Sequence, residues 1–129
     1  MSVIIDGSAG VTTNAGGSVN PSTTIDGINY SCRAWVNFNG TGTVAIRASG
    51  NVTSITDNGT GNYTVNFTTA MPDAKYATSA TCIDYSFGSV ICIQSVSSNY
   101  TTSAVRVLTL QKGASAFFDP EIACVSIFR

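Results

Sequence analysis

Few side chains in this sequence have the types and spacing that catalysis requires. The chain contains no histidine, which excludes the Ser-His-Asp and Cys-His arrangements and removes the commonest metal ligand. A glycosidase-type site needs two carboxylates about 5 to 10 Å apart across a cleft. Asp119 and Glu121 are close in sequence, but Pro120 between them indicates a turn. Asp57 and Asp73 also lie in turn sequences. We therefore expect no enzymatic activity.

The four cysteines do not form a metal-binding pattern. They include no Cys-x-x-Cys pair, and zinc without histidine would need all four thiolates at one point. Cys82 and Cys92 lie in apolar, strand-like segments, where a small thiol is usually buried. We expect reduced thiols in the core and no bound metal for Cys32, Cys82, Cys92 and Cys124. A cross-strand disulfide between Cys82 and Cys92 is the alternative.

The glycine-rich turns give no sign of a cofactor site. Gly40 and Gly42 are close together, but they lead into a strand-like segment and not into the helix N-terminus that phosphate binding requires. Oxygen atoms of Asp57, Asn58 and Asn62 could bind calcium, although their spacing does not match an EF-hand loop and a solvated turn is the alternative. We expect no cofactor.

Aromatic residues in predicted loops are the remaining candidates for a binding site. Tyr85 and Phe87 lie in one such loop. Asn99 and Tyr100 lie in the next. Their flat apolar faces and polar groups suit a sugar ring or a partner protein, so we predict that these four residues bind a receptor. The aromatic rings could instead seal the ends of the core or an oligomer axis.

The chain carries unusually little charge. Charged residues make up 10% of the sequence, and the formal net charge is −1. The six basic residues are scattered, so we expect neither a positive surface nor a nucleic-acid partner. Because Thr, Ser and Asn supply 43 of 129 residues, neutral groups carry most of the polarity. A surface with so little charge lacks the repulsion that keeps monomers apart, which indicates a subunit of an assembly.

From residue 30 onward, strand-like segments alternate with turns every eight to twelve residues. This spacing is typical of an antiparallel sandwich or barrel, and no segment has a sustained 3.6-residue apolar period. We predict an all-β fold, an antiparallel, jelly-roll-like β-sandwich. Trp35 is expected in its core or at an interface. The predicted strands span residues 31–39, 43–49, 52–56, 63–68, 76–85, 89–96, 104–111 and 124–128.

The clearest local signal is a β-hairpin in the middle of the chain. Alternation places Tyr63, Val65 and Phe67 on one face of a strand. The residues at 57–62 are types that tolerate positive φ or hydrogen-bond their own backbone, so the chain should reverse there.

The first 29 residues differ from the rest. Up to Thr24 they contain one charge, Asp6, and no aromatic residue, which is too little apolar bulk for a packed core. We predict an extended N-terminal arm over 1–29 and a β-sandwich domain over 30–129. The sequence shows no export signal and no apolar run near the about 18 residues of a membrane span. We therefore expect a soluble chain that does not insert into membranes.

Residues 33–77, RAWVNFNGTGTVAIRASGNVTSITDNGTGNYTVNFTTAMPDAKYA, resemble a segment of bacteriophage tail fibre and related tail structural proteins. The order of Trp-Val-Asn-Phe, Asn-Gly-Thr-Gly, Ile-Arg-Ala-Ser, Asp-Asn-Gly-Thr-Gly and Met-Pro-Asp-Ala carries the resemblance. The opening MSVIIDGSAGVTT and the ending ACVSIFR are also similar to such proteins, less closely. Residues 78–121 carry no resemblance.

The resemblance implies a virion protein of the phage tail, a fibre or fibre tip that is assembled in the host cytoplasm. It also implies a homotrimer whose N-terminal arm joins other tail proteins. The trimer would contribute to attachment by binding a glycan or protein on the host surface. A stand-alone carbohydrate-binding module is the alternative function. An enzyme that acts on envelope polysaccharide is a third possibility.

Overall fold

A computed structural model describes residues 4–6, 10–12, 32–83, 90–93, 97–111 and 116–129. The chain divides into two compact units, Met1–Ser31 and Cys32–Arg129, and each is described by itself. In the first unit, strand β1 (Ile4–Asp6) pairs antiparallel with strand β2 (Gly10–Thr12). The rest of the predicted N-terminal arm lies outside the described residues, and its extended form stays a prediction.

The second unit consists of strands joined by turns, and each of the eight predicted strands has a counterpart in it. A 3₁₀ turn spans Ser97–Asn99. No helix in the described part of the chain is long and apolar enough to cross a membrane. The strands are β3 (Cys32–Asn39), β4 (Ala45–Gly50), β5 (Val52–Asp57), β6 (Asn62–Phe67), β7 (Ala77–Ile83), β8 (Val90–Ile93), β9 (Ala104–Gln111) and β10 (Ile122–Phe128).

These strands form one antiparallel sheet in the order β4-β3-β10-β7-β8-β9-β6-β5. Its first half (β4, β3, β10, β7) packs on its second half (β8, β9, β6, β5). Phe38 of β3 meets Tyr63 of β6 edge to face with ring centroids 5.1 Å apart, although four strands separate β3 from β6 in the sheet. The pairs β3–β10 and β6–β9 join segments far apart in sequence, as a jelly-roll-like connection requires. The predicted all-β antiparallel sandwich is confirmed.

The core is built by strict alternation along four strands, two from each half. In each of them every second side chain points between the two halves and is buried, while its neighbours point outward. The predicted inward face of the hairpin strand at residues 63–67 is confirmed. The buried side chains are Ala34, Val36 and Phe38 of β3, Tyr63, Val65 and Phe67 of β6, Val105, Val107 and Thr109 of β9, and Ala123, Val125 and Ile127 of β10.

The predicted hairpin joins β5 to β6 through the turn at residues 57–62. Gly59 and Gly61 both adopt positive φ, at 112° and 61°. The amide of Gly59 donates to Asp57 Oδ1 at 2.9 Å, and the amide of Asn58 donates to the carbonyl of Asn62 at 2.9 Å. The turn therefore satisfies part of its own backbone, while the amide and carbonyl of Gly61 bind Asp119 and Thr109.

Asn51 connects β4 to β5, which are the two edge strands of the sheet. Its backbone adopts the left-handed conformation, with φ 56°. Its Nδ2 donates to the carbonyl of Arg33 at 3.0 Å and to that of Thr69 at 3.1 Å. Its Oδ1 accepts from the amide of Thr69 at 2.7 Å. One side chain thus ties the first half of the sheet to the chain that leaves β6, which helps to close this side of the sandwich.

Candidate recognition surfaces

The four residues predicted to bind a receptor are only partly within the described chain. Tyr85 and Phe87 lie outside the described residues. Asn99 ends the 3₁₀ turn, and Tyr100 follows it directly; both are half-buried. Recognition by these four residues stays a prediction.

Tyr100 packs against the end of the core. Its ring lies 5.1 Å from that of Tyr76 and is tilted against it by 51°. Tyr76 is buried, and its hydroxyl contacts the carbonyls of Thr101 and Ala104, each at 3.0 Å. Burial raises the pKa of Tyr76 to about 12. These contacts support the alternative role for Tyr100, which is to seal one end of the sandwich.

Asp119 is held in a structural hydrogen-bond network. Its Oδ1 accepts from the Tyr63 hydroxyl at 2.6 Å and from the Gly61 amide at 2.7 Å. Burial, followed by the hydrogen bond to Asp119, raises the pKa of Tyr63 well above its usual range. The contact joins residues 56 positions apart in sequence. Asp119 thereby fastens the segment before β10 to the start of β6.

The other acids in the second unit with described side chains also have partners within the fold. Asp73 binds Arg129 through two contacts, at 2.9 Å and 2.5 Å, and this pair holds the pKa of the Asp73 carboxyl below its usual range. Glu121 lies 4.0 Å from Arg47. Asp73 and Glu121 thus each have an arginine partner of their own.

Metal ligands do not converge within the described residues. No group of three or more His, Cys, Asp or Glu side chains there could hold a metal ion. In the turn considered for calcium, Asn58 donates to Thr64 Oγ1 at 2.9 Å, and Asn62 Oδ1 accepts from Arg106 at 2.7 Å. These side chains therefore bind their own neighbours, as a solvated turn would.

The cysteines do not share one environment. Cys82 is half-buried against the core and Cys124 is half-buried, but Cys32 is exposed, so the expectation of a core thiol is wrong for Cys32. Cys32 is exposed because it lies at the start of β3, before the residues of that strand that point into the core. The strand register places Cys82 opposite Val90 and not opposite Cys92, whose side chain lies outside the described residues.

The outward side of the first half carries an apolar surface, here called the Trp35 face. Trp35 is 43% exposed, Phe128 40% and Ile83 49%. Trp35 pairs with Ser126 of β10, two residues before Phe128. At the other end of β10, Ile122 pairs with Ile83. The outward positions between them are uncharged, and most are small or polar, namely Asn37, Ala48, Ser79, Thr81, Cys124 and Ser126. Arg33 also lies on this side, two residues before Trp35.

The outward side of the second half is polar along β5 and β6, but the outward positions of β9 include Leu108 and Leu110, and Phe117, which pairs with Leu110, is 49% exposed. Asn66 Nδ2 donates to Ser54 Oγ at 3.1 Å and to Thr56 Oγ1 at 2.9 Å. Arg106 donates to Asn62 on the neighbouring strand. The side chains of this surface bind one another, so it has fewer groups to offer a partner than its composition implies.

Comparison with known proteins finds no matching family model, no similar curated protein and no similar solved structure.

The Trp35 face was missed as a site in the sequence interpretation, which placed Trp35 in the core or at an interface. The signal was available in the alternation of β3. Ala34, Val36 and Phe38 form the inward set, so Trp35 must point outward. On β10 the outward positions include Ile122, Cys124 and Phe128, so this strand is apolar on both sides.

Proposed function

We propose that the chain is a non-enzymatic structural subunit of a phage tail, a fibre or fibre tip, that assembles as a homotrimer and contributes to host attachment. Its N-terminal arm joins other tail proteins, and the sandwich carries the surfaces that meet the host and the other subunits. The resemblance of residues 33–77 to tail fibre proteins supports the class of protein.

The observation that carries the proposal is the Trp35 face on a closed β-sandwich. Trp35, Phe128 and Ile83 are between 40% and 49% exposed, and the positions between them carry no charge. We infer that these exposed apolar side chains are covered in an assembly, as exposed apolar surfaces of subunits are. A fibre subunit needs this combination of a rigid body and a surface for association.

Attachment by a fibre depends on several weak sites that act together. Linked sites can raise avidity by about 10² to 10⁴ without any new contact. A trimer therefore does not need a deep pocket. In this proposal Tyr85 and Phe87, in their predicted loop, provide a weak site in each copy.

A stand-alone carbohydrate-binding module is the second candidate, and the exposed ring of Trp35 is the observation in its favour. An exposed aromatic face can stack on a sugar ring. Such a module would bind as a monomer through one site. The two functions therefore differ in whether binding requires assembly.

The test is a glycan array probed separately with the assembled chain and with monomer isolated by dilution. The fibre proposal predicts that the array retains the assembled chain. It also predicts that the monomer binds with an apparent affinity lower by about 10²-fold or more. Equal affinity of both forms would favour the carbohydrate-binding module. Release of shortened polysaccharide by the wild-type chain, abolished by Glu121→Gln, would contradict both and indicate an enzyme.

A further inference from the structure

We propose that Asn58 is a self-modifying residue of the folded chain. The backbone nitrogen of Gly59 attacks the side-chain amide of Asn58, and an aspartate or isoaspartate residue replaces the asparagine. Water is the only co-reactant. The inference goes beyond the proposed function and does not depend on it.

The sequence contains two Asn-Gly pairs, Asn39-Gly40 and Asn58-Gly59. An asparagine before glycine is the most reactive kind, because the missing Cβ atom leaves the attacking nitrogen uncovered and the backbone free to turn towards the side chain. Every other asparagine of the chain precedes a residue with a side chain. The fold places the two pairs in opposite surroundings.

The first pair is held by its neighbours. Gly40 is buried, and its amide donates to the carbonyl of Pro120 at 2.8 Å. A Cβ atom on Gly40 would lie 2.5 Å from the Tyr63 hydroxyl, so the backbone has no room to turn. The Asn39 side chain donates to the carbonyl of Thr41 at 2.8 Å and accepts from its hydroxyl at 2.8 Å. This pair should therefore stay intact while the chain is folded.

The second pair lies in open space. Residues 56–60 are exposed, and a Cβ atom on Gly59 would meet nothing within 4 Å. Gly59 has φ 112°, which glycine leaves at little cost because it tolerates both signs of φ. The backbone can therefore turn towards the Asn58 side chain without displacing a packed neighbour.

A base is in place for the hydrogen that the attacking nitrogen must lose. The Gly59 amide donates to Asp57 Oδ1 at 2.9 Å, which is the distance at which a general base acts. The Gly40 amide meets a backbone carbonyl instead, which is a far weaker base. On the leaving side, Asn58 Nδ2 lies 2.9 Å from Thr64 Oγ1. The Thr64 hydroxyl can turn and donate to the nitrogen as it departs.

The reaction has two steps. In the first, a bond forms between the Gly59 nitrogen and Asn58 Cγ, the amide hydrogen passes through Asp57 to Nδ2, and the Cγ–Nδ2 bond breaks to release ammonia. The product is a cyclic imide. In the second step, water adds to one of the two imide carbonyls and opens the ring. Opening at Cγ gives aspartate, and opening at the backbone carbonyl gives isoaspartate.

The product changes the turn between β5 and β6. It adds one negative charge, next to Asp57, to a chain whose net charge is −1. The donor from Asn58 Nδ2 to Thr64 Oγ1 is lost. Isoaspartate also lengthens the backbone by one carbon atom in a turn closed by the bond between the Asn58 amide and the Asn62 carbonyl. The modified hairpin should therefore be less stable.

The test follows both Asn-Gly pairs in the purified full chain during incubation in mildly alkaline buffer, with and without urea. Mass spectrometry of peptides locates each asparagine that has become an acid, and chromatography separates aspartate from isoaspartate. Asp57→Asn keeps an oxygen that can accept from the Gly59 amide but removes the base. Asp73→Asn removes an acid from another turn and is the matched control.

In the folded wild-type chain we expect Asn58 to convert faster than Asn39 by about 10²-fold or more, because only Gly59 is free to reach the attacking geometry. In urea the two pairs should convert at similar rates. Asp57→Asn should slow the conversion of folded Asn58 by about tenfold or more, and Asp73→Asn should leave it unchanged. Circular dichroism confirms that each variant is folded.

Equal rates at Asn39 and Asn58 in the folded chain would overturn the proposal, because the fold would then not select the site. A folded chain in which Asn58 stays intact would overturn it as well. Conversion that is as fast or faster in Asp57→Asn would overturn the role of Asp57 as the base, and would show that its bond to the Gly59 amide protects the turn.

Discussion

Tyr63 connects three segments of the sandwich through one hydroxyl group. It donates to Asp119 at 2.6 Å and lies 3.3 Å from the carbonyl of Gly40. A Cβ atom on Gly40 would stand 2.5 Å from the same hydroxyl, so only glycine allows this approach. Tyr63 is fully buried, whereas Asp119 is exposed, so the stabilisation comes from the hydrogen bond to a carboxylate, which contributes more than a bond between neutral groups.

Tyr63→Phe should therefore lower the free energy of unfolding by about 1 to 3 kcal/mol, because Asp119 loses one donor while the ring keeps its packing. Tyr100→Phe is the matched control, since the Tyr100 hydroxyl makes no hydrogen bond to another described residue; its cost should stay within about 0.5 kcal/mol. Urea unfolding of both variants measures the difference. Equal costs would contradict the structural role of the Tyr63 hydroxyl.

Tyr76 should make the stability of the sandwich depend on alkaline pH. Burial raises the pKa of Tyr76 from 10.0 to about 12. The unfolded chain ionises near pH 10 while the folded chain stays protonated, so this contribution to stability is complete below pH 10 and is lost as the pH rises through 12. The raised pKa of Tyr63 acts in the same direction.

Urea unfolding at a series of pH values from 9 to 12 measures this dependence. We expect the free energy of unfolding to fall over the upper part of the range, and Tyr76→Phe to reduce the slope because one of the two groups is removed. A slope that is unchanged in Tyr76→Phe would show that the ionisation of Tyr76 does not destabilise the fold.

The hairpin between β5 and β6 is the element whose geometry depends most on glycine. Gly61 has φ 61°, and a Cβ atom there would lie 2.7 Å from the carbonyl of Thr109 and 2.8 Å from the backbone of Phe118. Gly42 has nearly the same φ, 63°, but a Cβ atom there meets nothing within 4 Å. Substitutions at these two positions therefore distinguish the cost of backbone strain from the cost of steric contact.

Gly42→Ala should cost about 1 to 2 kcal/mol, the usual penalty for a left-handed conformation with a side chain. Gly61→Ala should cost more, because β9 and the segment before β10 must also move away from the new methyl group. Thermal unfolding of the two variants compares them. A smaller loss for Gly61→Ala than for Gly42→Ala would show that the close approach at Gly61 is not required.

The sequence was sufficient to predict the strands and the hairpin, because both depend on local patterns. The alternation of Tyr63, Val65 and Phe67 determines which side of β6 is buried, and the residues at 57–62 determine the turn. The strand order depends on pairs such as β3–β10, which join distant segments and leave no local pattern. The pair β1–β2 was not predicted, because strands of three residues are too short for an alternation to be recognised.

The candidate surfaces were harder to predict for the same reason. The contact between Asp119 and Tyr63 depends on how β6 and the end of the chain meet in space. Trp35 looks the same in a sequence whether it points inward or outward, and only its position relative to the core residues of β3 decides this.

At the scale of the whole molecule, both halves of the sandwich expose large apolar side chains. On the second half, Asn, Thr and Arg side chains bind one another across β5, β6 and β9, while Phe117 beside β9 is 49% exposed. The first half leaves Trp35, Phe128 and Ile83 between 40% and 49% exposed. Under the proposed function, association of subunits would cover part of this exposed apolar surface.

The mass of the wild-type chain in solution tests this account most directly. Light scattering coupled to size exclusion, at micromolar concentration and moderate salt, should give about three times the 13.3 kDa of one chain. A single species of 13.3 kDa over the whole concentration range would contradict the account, because the Trp35 face would then stay exposed to water.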